Sequence, residues 1–138
     1  MPRKWVVLVI DDDAAIRASL KFSLEIEGYA VRCYSNSNEF LNQGDWLGVG
    51  CIVIDDGVPG SSGIEILRLL RLRGIRLPAI LITSNVSTML ELHAADVGAR
   101  IVEKPLLGDS LLEAIRSAIA EHSLKSGPSN GRQSNDAN

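Results

Sequence analysis

Apolar runs that end on polar residues recur along the chain and predict the strands of a sheet. Two runs are nearly unbroken: residues 5–10, which lead into Asp11, and residues 51–54, which lead into Asp55. A continuous apolar run of this length is typical of a strand that is buried on both faces, as in a parallel sheet. Three less regular runs predict further strands at residues 30–34, 79–82 and 100–103.

Between these runs, the apolar residues follow the period of a helix. The first helix begins at Asp12 or Asp13, either of which can cap it, and ends before Gly28. A third helix is capped by Ser61 or Ser62 and ends at Gly74. The remaining helices are predicted at about residues 36–43, 87–97 and 109–123, with a loop at residues 44–50.

Strand and helix therefore alternate five times, which predicts an α/β fold. The expected architecture is a doubly wound, five-stranded parallel sheet in the flavodoxin-like order 2-1-3-4-5, with helices on both faces. Residues 1–123 form one domain in this interpretation. The remaining residues, 124–138, are mostly polar and predict a disordered tail.

Charge and composition exclude several classes of function. The net charge is −3 and the basic residues are scattered, so we expect neither direct nucleic-acid binding nor attachment to a membrane surface. No apolar stretch has the length of a membrane span. Cys33 and Cys51 lie in apolar runs and are expected to be reduced thiols, which is consistent with a cytoplasmic protein. The basic end of the third helix, at residues 68–76, is interpreted as a solvated face.

The polar residues that follow the strands are the candidate functional residues. Parallel strands end at the same edge of a sheet, so the following residues should meet there: Asp11, Asp12, Asp55, Thr83 and Lys104. Crowded carboxylates favour a hard divalent cation, and Mg²⁺ with a hydroxyl and an amine suits phosphoryl chemistry. The Lys104–Pro105 bond is a candidate cis peptide, because X–Pro bonds tolerate that form and it would aim the lysine inwards.

Four motifs at these strand ends resemble those of the CheY-like receiver domain of two-component response regulators. They are Val-Ile-Asp-Asp-Asp at 9–13, Ile-Asp-Asp-Gly-Val-Pro-Gly at 54–60, Leu-Ile-Thr at 81–83 and Glu-Lys-Pro at 103–105. The resemblance covers about residues 4–123 and is greatest to the nitrogen-fixation regulators. It implies a signalling module and not an enzyme, one that catalyses only its own phosphoryl transfer and slow autodephosphorylation.

The resemblance also implies a role for each strand-end residue. Asp55 matches the aspartate that is phosphorylated by a sensor histidine kinase or phosphotransfer protein. Mg²⁺ would be bound by Asp12 directly, by Asp11 through water, by Asp55 and by the backbone carbonyl of Gly57. Thr83 matches the switch hydroxyl, and Lys104 matches the lysine that pairs with the phosphoryl group.

One departure from the family pattern concerns signal transmission. Ile101 occupies the position where the family usually has Tyr or Phe, so the usual threonine–aromatic switching is not expected here. A homodimer through the face of the fourth helix, fifth strand and fifth helix is left open. Two other hypotheses are a phosphatase of the haloacid-dehalogenase type, with Asp11 as nucleophile and Asp13 as second acid, and a receiver that binds partners without phosphorylation.

Overall fold

The computed structural model describes residues 4–125, in which five strands alternate with five helices. The strands are β1 (Val6–Ile10), β2 (Ala30–Tyr34), β3 (Val49–Asp55), β4 (Ala79–Thr83) and β5 (Ala99–Glu103). The helices are α1 (Ala14–Ile26), α2 (Ser37–Asn42), α3 (Gly63–Leu72), α4 (Thr88–Asp96) and α5 (Ser110–Lys125).

The strands form one parallel sheet in the order β2-β1-β3-β4-β5, which confirms the predicted topology. All seven residues of the central strand β3 are buried; the six before Asp55 carry no polar side chain, as burial on both faces requires. In register, Ile10 of β1 pairs with Ile54 of β3, and Thr83 of β4 pairs with Glu103 of β5. The carboxyl ends of these four strands therefore lie side by side.

The helices cover both faces of the sheet and give the molecule two apolar cores. On one face, α1 and α5 bury residues such as Leu24 and Ile115 against the strands. On the other face, α2, α3 and α4 contribute residues such as Phe40, Leu67 and Ala94. Because each helix buries one side, the strands between them are covered on both faces, as expected for a doubly wound sheet.

Most element boundaries differ little from those predicted. Strand β2 has the predicted bounds, whereas β3 begins at Val49, inside the segment predicted as a loop. Helix α5 begins at Ser110 and continues to Lys125, two residues past its predicted end. The rest of the predicted tail, residues 126–138, lies outside the described residues. Within residues 4–125, no helix combines the length and apolar character that a membrane span requires.

The arginines near the end of α3 are not all solvated, contrary to the prediction. Arg71 is half-buried and donates to the backbone carbonyls of Val97 and Ile75, at 2.9 and 3.0 Å. Arg68 forms an exposed ion pair with Asp96, at the end of α4. The bond to Val97 and the ion pair with Asp96 connect α3 to the carboxyl end of α4, where carbonyl groups lack helical partners and favour a cation.

Candidate functional site

The carboxyl edge of the sheet brings together the five side chains that the sequence predicted there. Asp11 and Asp12 follow β1, Asp55 ends β3, Thr83 ends β4, and Lys104 follows β5. These strands are direct neighbours in the order β1-β3-β4-β5. Asp55 therefore lies between the acid pair on one side and the threonine and lysine on the other.

Three carboxylates form the centre of this site. One oxygen from each of Asp11, Asp12 and Asp55 lies within 4.8 Å of the others. Asp11 is 2% exposed and Asp55 is 9% exposed, whereas Asp12 is open to solvent. Two buried carboxylates so close together repel each other and favour a bound cation.

The hydrogen bonds of Asp11 leave one of its oxygens without a partner. Its Oδ1 accepts a bond from the backbone N–H of Asp13 at 2.9 Å. Its Oδ2 is buried and accepts no hydrogen bond within residues 4–125. Buried polar atoms are normally paired, so this oxygen is suited to coordinate an ion. The residues of the site thus fit Mg²⁺, in agreement with the donor set of three carboxylates.

Both oxygens of Asp55 are bonded in this structure. Oδ1 lies 2.6 Å from Nζ of Lys104, and Oδ2 accepts a bond from the backbone N–H of Gly57 at 3.0 Å. The side chains of Asp55 and Lys104 are 12% and 27% exposed, so this ion pair is only partly screened by water. Lys104 therefore supplies a fixed positive charge at the carboxylate that ends the central strand.

The charges of the site shift the pKa values of its neighbours. The hydrogen bond to Asp55 is the main cause that raises the pKa of Lys104, which keeps the amine protonated. Burial raises the pKa of Asp11, and the charges of Asp55 and Asp12 raise it further, against the opposing N–H of Asp13. Burial and the charge of Asp55 likewise raise the pKa of Asp56.

Thr83 and Lys104 are joined through the backbone of β4 and the end of β5. Thr83 is buried, its Oγ1 accepts a bond from the N–H of Asn85 at 3.2 Å, and its carbonyl accepts one from the N–H of Lys104 at 2.8 Å. The Lys104–Pro105 bond is cis. Ile101 is half-buried and pairs in register with Leu81. Because Leu81 lies two residues before Thr83 on the same strand, Ile101 and Thr83 lie on the same face of the sheet.

Asp13 does not join the acid cluster. Its carboxylate accepts bonds from the N–H groups of Ala15 and Ile16, at 2.9 and 3.3 Å, and thereby caps α1. The phosphatase hypothesis needed Asp13 as an acid beside Asp11, but the cap occupies its side chain. This geometry therefore disfavours that hypothesis.

Two residues near the site had no recognisable signal in the sequence. Arg17, on the first turn of α1, donates to the backbone carbonyl of Asp11 at 2.8 Å. Ser37, at the start of α2, donates to the carbonyl of Pro59 in the loop after β3. The Ser37 contact joins segments that lie 22 residues apart, whereas Arg17 lies only six residues from Asp11, and the local sequence does not show either contact.

A groove of about 670 Å³ adjoins the site between α1 and α5. Its walls are largely apolar and include Ile16, Leu20 and Leu112, and one end reaches Lys104 and Pro105. An apolar groove with a few polar groups is the usual form of a binding surface. This groove therefore provides an apolar surface beside Lys104, the residue that pairs with Asp55.

Comparisons with known proteins show the family of this chain. Residues 7–116 match the response regulator receiver domain family. The transcriptional regulatory protein FixJ of Azorhizobium caulinodans is 39% identical over 120 residues, which are 86% of this chain and 57% of that protein. The chain thus covers less than two thirds of the length of this relative.

Solved structures show the same fold. The CheY-like receiver domain protein of Methanospirillum hungatei has a TM-score of 0.80 at 28% identity, covering 89% of this chain and 99% of that chain. The beryllofluoride-activated NtrC4 receiver domain dimer has a TM-score of 0.78 at 29% identity, covering 86% and 98%. Since the family match spans most of the chain and the sheet order agrees with it, this chain belongs to the response regulator receiver domain family of two-component signalling systems.

Proposed function

We propose that Asp55 accepts a phosphoryl group from a phosphohistidine of a sensor histidine kinase or phosphotransfer protein. The observation that carries this proposal is the position of Asp55, which ends the central strand within 4.8 Å of two other carboxylates and 2.6 Å from the Lys104 amine. A carboxylate with a cation site on one side and a fixed ammonium on the other is suited to attack phosphorus.

The transfer requires few groups. An oxygen of the Asp55 carboxylate forms a bond to phosphorus while the phosphorus–nitrogen bond of the donor breaks, and the imidazole leaves. The product is an acyl phosphate on Asp55, and charge accumulates on the phosphoryl oxygens. The Lys104 ammonium, 2.6 Å from Asp55, and the Thr83 hydroxyl, at the end of the neighbouring strand β4, would donate to those oxygens and stabilise the product.

Mg²⁺ is the expected cofactor of this site. The residues that would hold it are Asp11, Asp12, Asp55 and the backbone carbonyl of Gly57, and the unpartnered Oδ2 of Asp11 supports this assignment. When bound, the ion neutralises charge on the phosphoryl oxygens. The chain's own contribution is to orient its carboxylates through the N–H groups of Asp13 and Gly57.

The groove between α1 and α5 is the proposed contact surface for the phosphoryl donor. The donor must bring its phosphohistidine to an aspartate that is only 9% exposed, so it has to dock close to Lys104. Apolar side chains on α1 and α5 would anchor it there.

The free thiols of Cys33 and Cys51 support a reducing, cytoplasmic location for this exchange.

The output surface is proposed to be the face of α4, β5 and α5. Met89 and Leu92 on α4 are each 60% exposed, and such apolar side chains favour contact with a partner. The partner would be a second copy of this domain or an output segment, and a receiver dimer occurs among the structural relatives. Light scattering with and without beryllofluoride would detect the dimer as a doubling of mass.

The phosphorylation site can be tested directly. Incubation with acetyl phosphate and Mg²⁺, followed by borohydride reduction and peptide mass spectrometry, should place the label on Asp55. The Asp55→Asn variant should not be labelled. Asp56→Asn is the matched control, because it removes the neighbouring carboxyl and should leave labelling unchanged.

Two outcomes would contradict this function. Label on Asp11 with rapid hydrolysis of added phosphate esters would indicate a phosphatase. A wild-type protein that takes up no label from acetyl phosphate or from any phosphorylated kinase would indicate a receiver that binds partners without phosphorylation.

A further inference from the structure

The loop from Asp56 to Ser62 carries backbone groups of the phosphorylation site but has little internal structure. Its Gly57 N–H donates to Asp55, and its Gly57 carbonyl is a proposed Mg²⁺ ligand. The ends of the loop are fixed, because the N–H of Asp56 donates to Ile82 and its carbonyl accepts from Gly63. Val58 holds the middle of the loop to the apolar core, whereas Gly57, Pro59 and Gly60 are exposed, and the segment after Val58 has further support from another element.

Helix α2 supplies this support through Ser37. Both the backbone N–H and the hydroxyl of Ser37 donate to the carbonyl of Pro59, each at 3.3 Å. Ser37 is 3% exposed, so the hydroxyl is shielded from water that would compete for the bond. The contact lies two residues along the chain from Gly57.

The glycine after Pro59 is packed against the same hydroxyl. A Cβ at Gly60 would lie 2.2 Å from Oγ of Ser37, and the φ angle of Gly60 is +103°, which side chains rarely adopt. Without Oγ, the nearest atom would be the Cβ of Ser37 at 3.5 Å, an ordinary contact. The hydroxyl of Ser37 thus contacts the loop in two ways, through the hydrogen bond to the Pro59 carbonyl and through close packing against Gly60.

We propose that Ser37 is a positioning residue for the phosphorylation site, holding the loop after β3 so that the Gly57 backbone faces Asp55 and the Mg²⁺ site. This inference rests on the proposed function, since it concerns the same metal site. The serine contacts neither the phosphoryl group nor the ion. Its effect passes through the Pro59 carbonyl, in the manner of the outer-shell groups that orient metal ligands.

The test is the dependence of phosphorylation on Mg²⁺. In Ser37→Ala, the Mg²⁺ concentration for half-maximal labelling by acetyl phosphate should rise about 3- to 10-fold, the factor that one neutral hydrogen bond supplies. The Mg²⁺ dissociation constant from calorimetry should rise by the same factor, and the labelling rate at saturating Mg²⁺ should stay near that of the wild type. Ser35→Ala is the matched control, because within the described residues its hydroxyl bonds to Glu39 and to the side-chain amide of Asn36, and not to the loop after β3.

A double variant examines the contact itself. Gly60→Ala should weaken Mg²⁺ binding more than Ser37→Ala, because the added methyl group meets Oγ. In the double variant that clash is relieved, so its effect should be smaller than the product of the two single effects.

Two results would overturn the inference. One is a Mg²⁺ dissociation constant that is unchanged in Ser37→Ala, even if its Tm falls. The other is a double variant whose effect on Mg²⁺ binding equals the product of the two single effects. If the wild type itself neither binds Mg²⁺ nor becomes labelled on Asp55, the proposed function fails instead.

Discussion

The buried carboxylate of Asp11 should oppose folding in metal-free solution. It is 2% exposed, its Oδ2 lacks a partner within residues 4–125, and oxygens of Asp55 and Asp12 lie within 4.8 Å. We therefore expect Asp11→Asn to stabilise the metal-free protein. The asparagine oxygen can still accept from the N–H of Asp13, and its amide can donate to the neighbouring carboxylates.

The size of the effect follows from the charges. Two unit charges 4.8 Å apart repel by about 3.5 kcal/mol at an effective dielectric constant of about 20. Lys104 is paired with Asp55 and cancels much of this repulsion. The expected net gain in the free energy of unfolding is about 1–2 kcal/mol, which corresponds to a rise in Tm of about 5 °C.

The dependence on pH has a definite sign. The folded-state pKa of Asp11 is raised above its unfolded value, so the folded protein binds this proton more tightly. The stability from this proton is fully present below the unfolded pKa, about 3.9, and is lost as pH rises through the folded pKa. Asp11→Asn has no such loss. The difference in free energy of unfolding between this variant and the wild type should therefore grow as pH rises from the unfolded through the folded pKa of Asp11, and it should remain at neutral pH.

Denaturant unfolding in a chelator measures this difference. Asp13→Asn is the control, since asparagine caps a helix as well as aspartate, and its stability should change by less than about 0.5 kcal/mol. Saturating Mg²⁺ should stabilise the wild type and should stabilise Asp11→Asn much less. A less stable Asp11→Asn in chelator at neutral pH would refute the electrostatic reasoning.

Two further predictions concern the metal and the switch. Mg²⁺ titrations should show a greater loss of affinity in Asp12→Ala than in Asp11→Ala, because a direct ligand contributes more than one that acts through water; equal affinities in both variants and the wild type would exclude a metal site. In amide NMR spectra, beryllofluoride should shift signals near Asp55, Thr83 and Lys104 and affect Ile101 little, because a stiff β-branched side chain provides no ring that could turn inward. Large shifts throughout residues 87–102 would show that isoleucine supports a full switch.

The sheet could be predicted from sequence because its strands are short apolar runs that alternate with helices. The start of β3 could not, because residues 44–50 contain three glycines and resemble a loop. Gly50 nevertheless lies inside the strand, where a Cβ would approach Ile119 and Trp5 to 3.0 Å. Its small size is a packing requirement between β3, α5 and the segment before β1, which no local pattern reveals.

The members of the site were predictable, but their contacts were not. Parallel strands end at one edge, so Asp11, Asp55 and Lys104 were expected to meet there. The direct Lys104–Asp55 pair depends on side-chain conformation, and the bond from Ser37 to Pro59 joins residues 22 positions apart. Such contacts depend on how whole helices and strands pack together, so they cannot be predicted from the local sequence around each residue.

The two apolar cores have a consequence for how the domain can vary. Each buried apolar cluster lies on its own face of the sheet, with Leu24 of α1 in one and Leu67 of α3 in the other. Mutational effects on stability add when the residues share no contacts. Substitutions in α1 can therefore accumulate without repacking α2, α3 and α4 on the opposite face. The side chains of the groove beside Lys104 can change while the packing of those three helices stays the same.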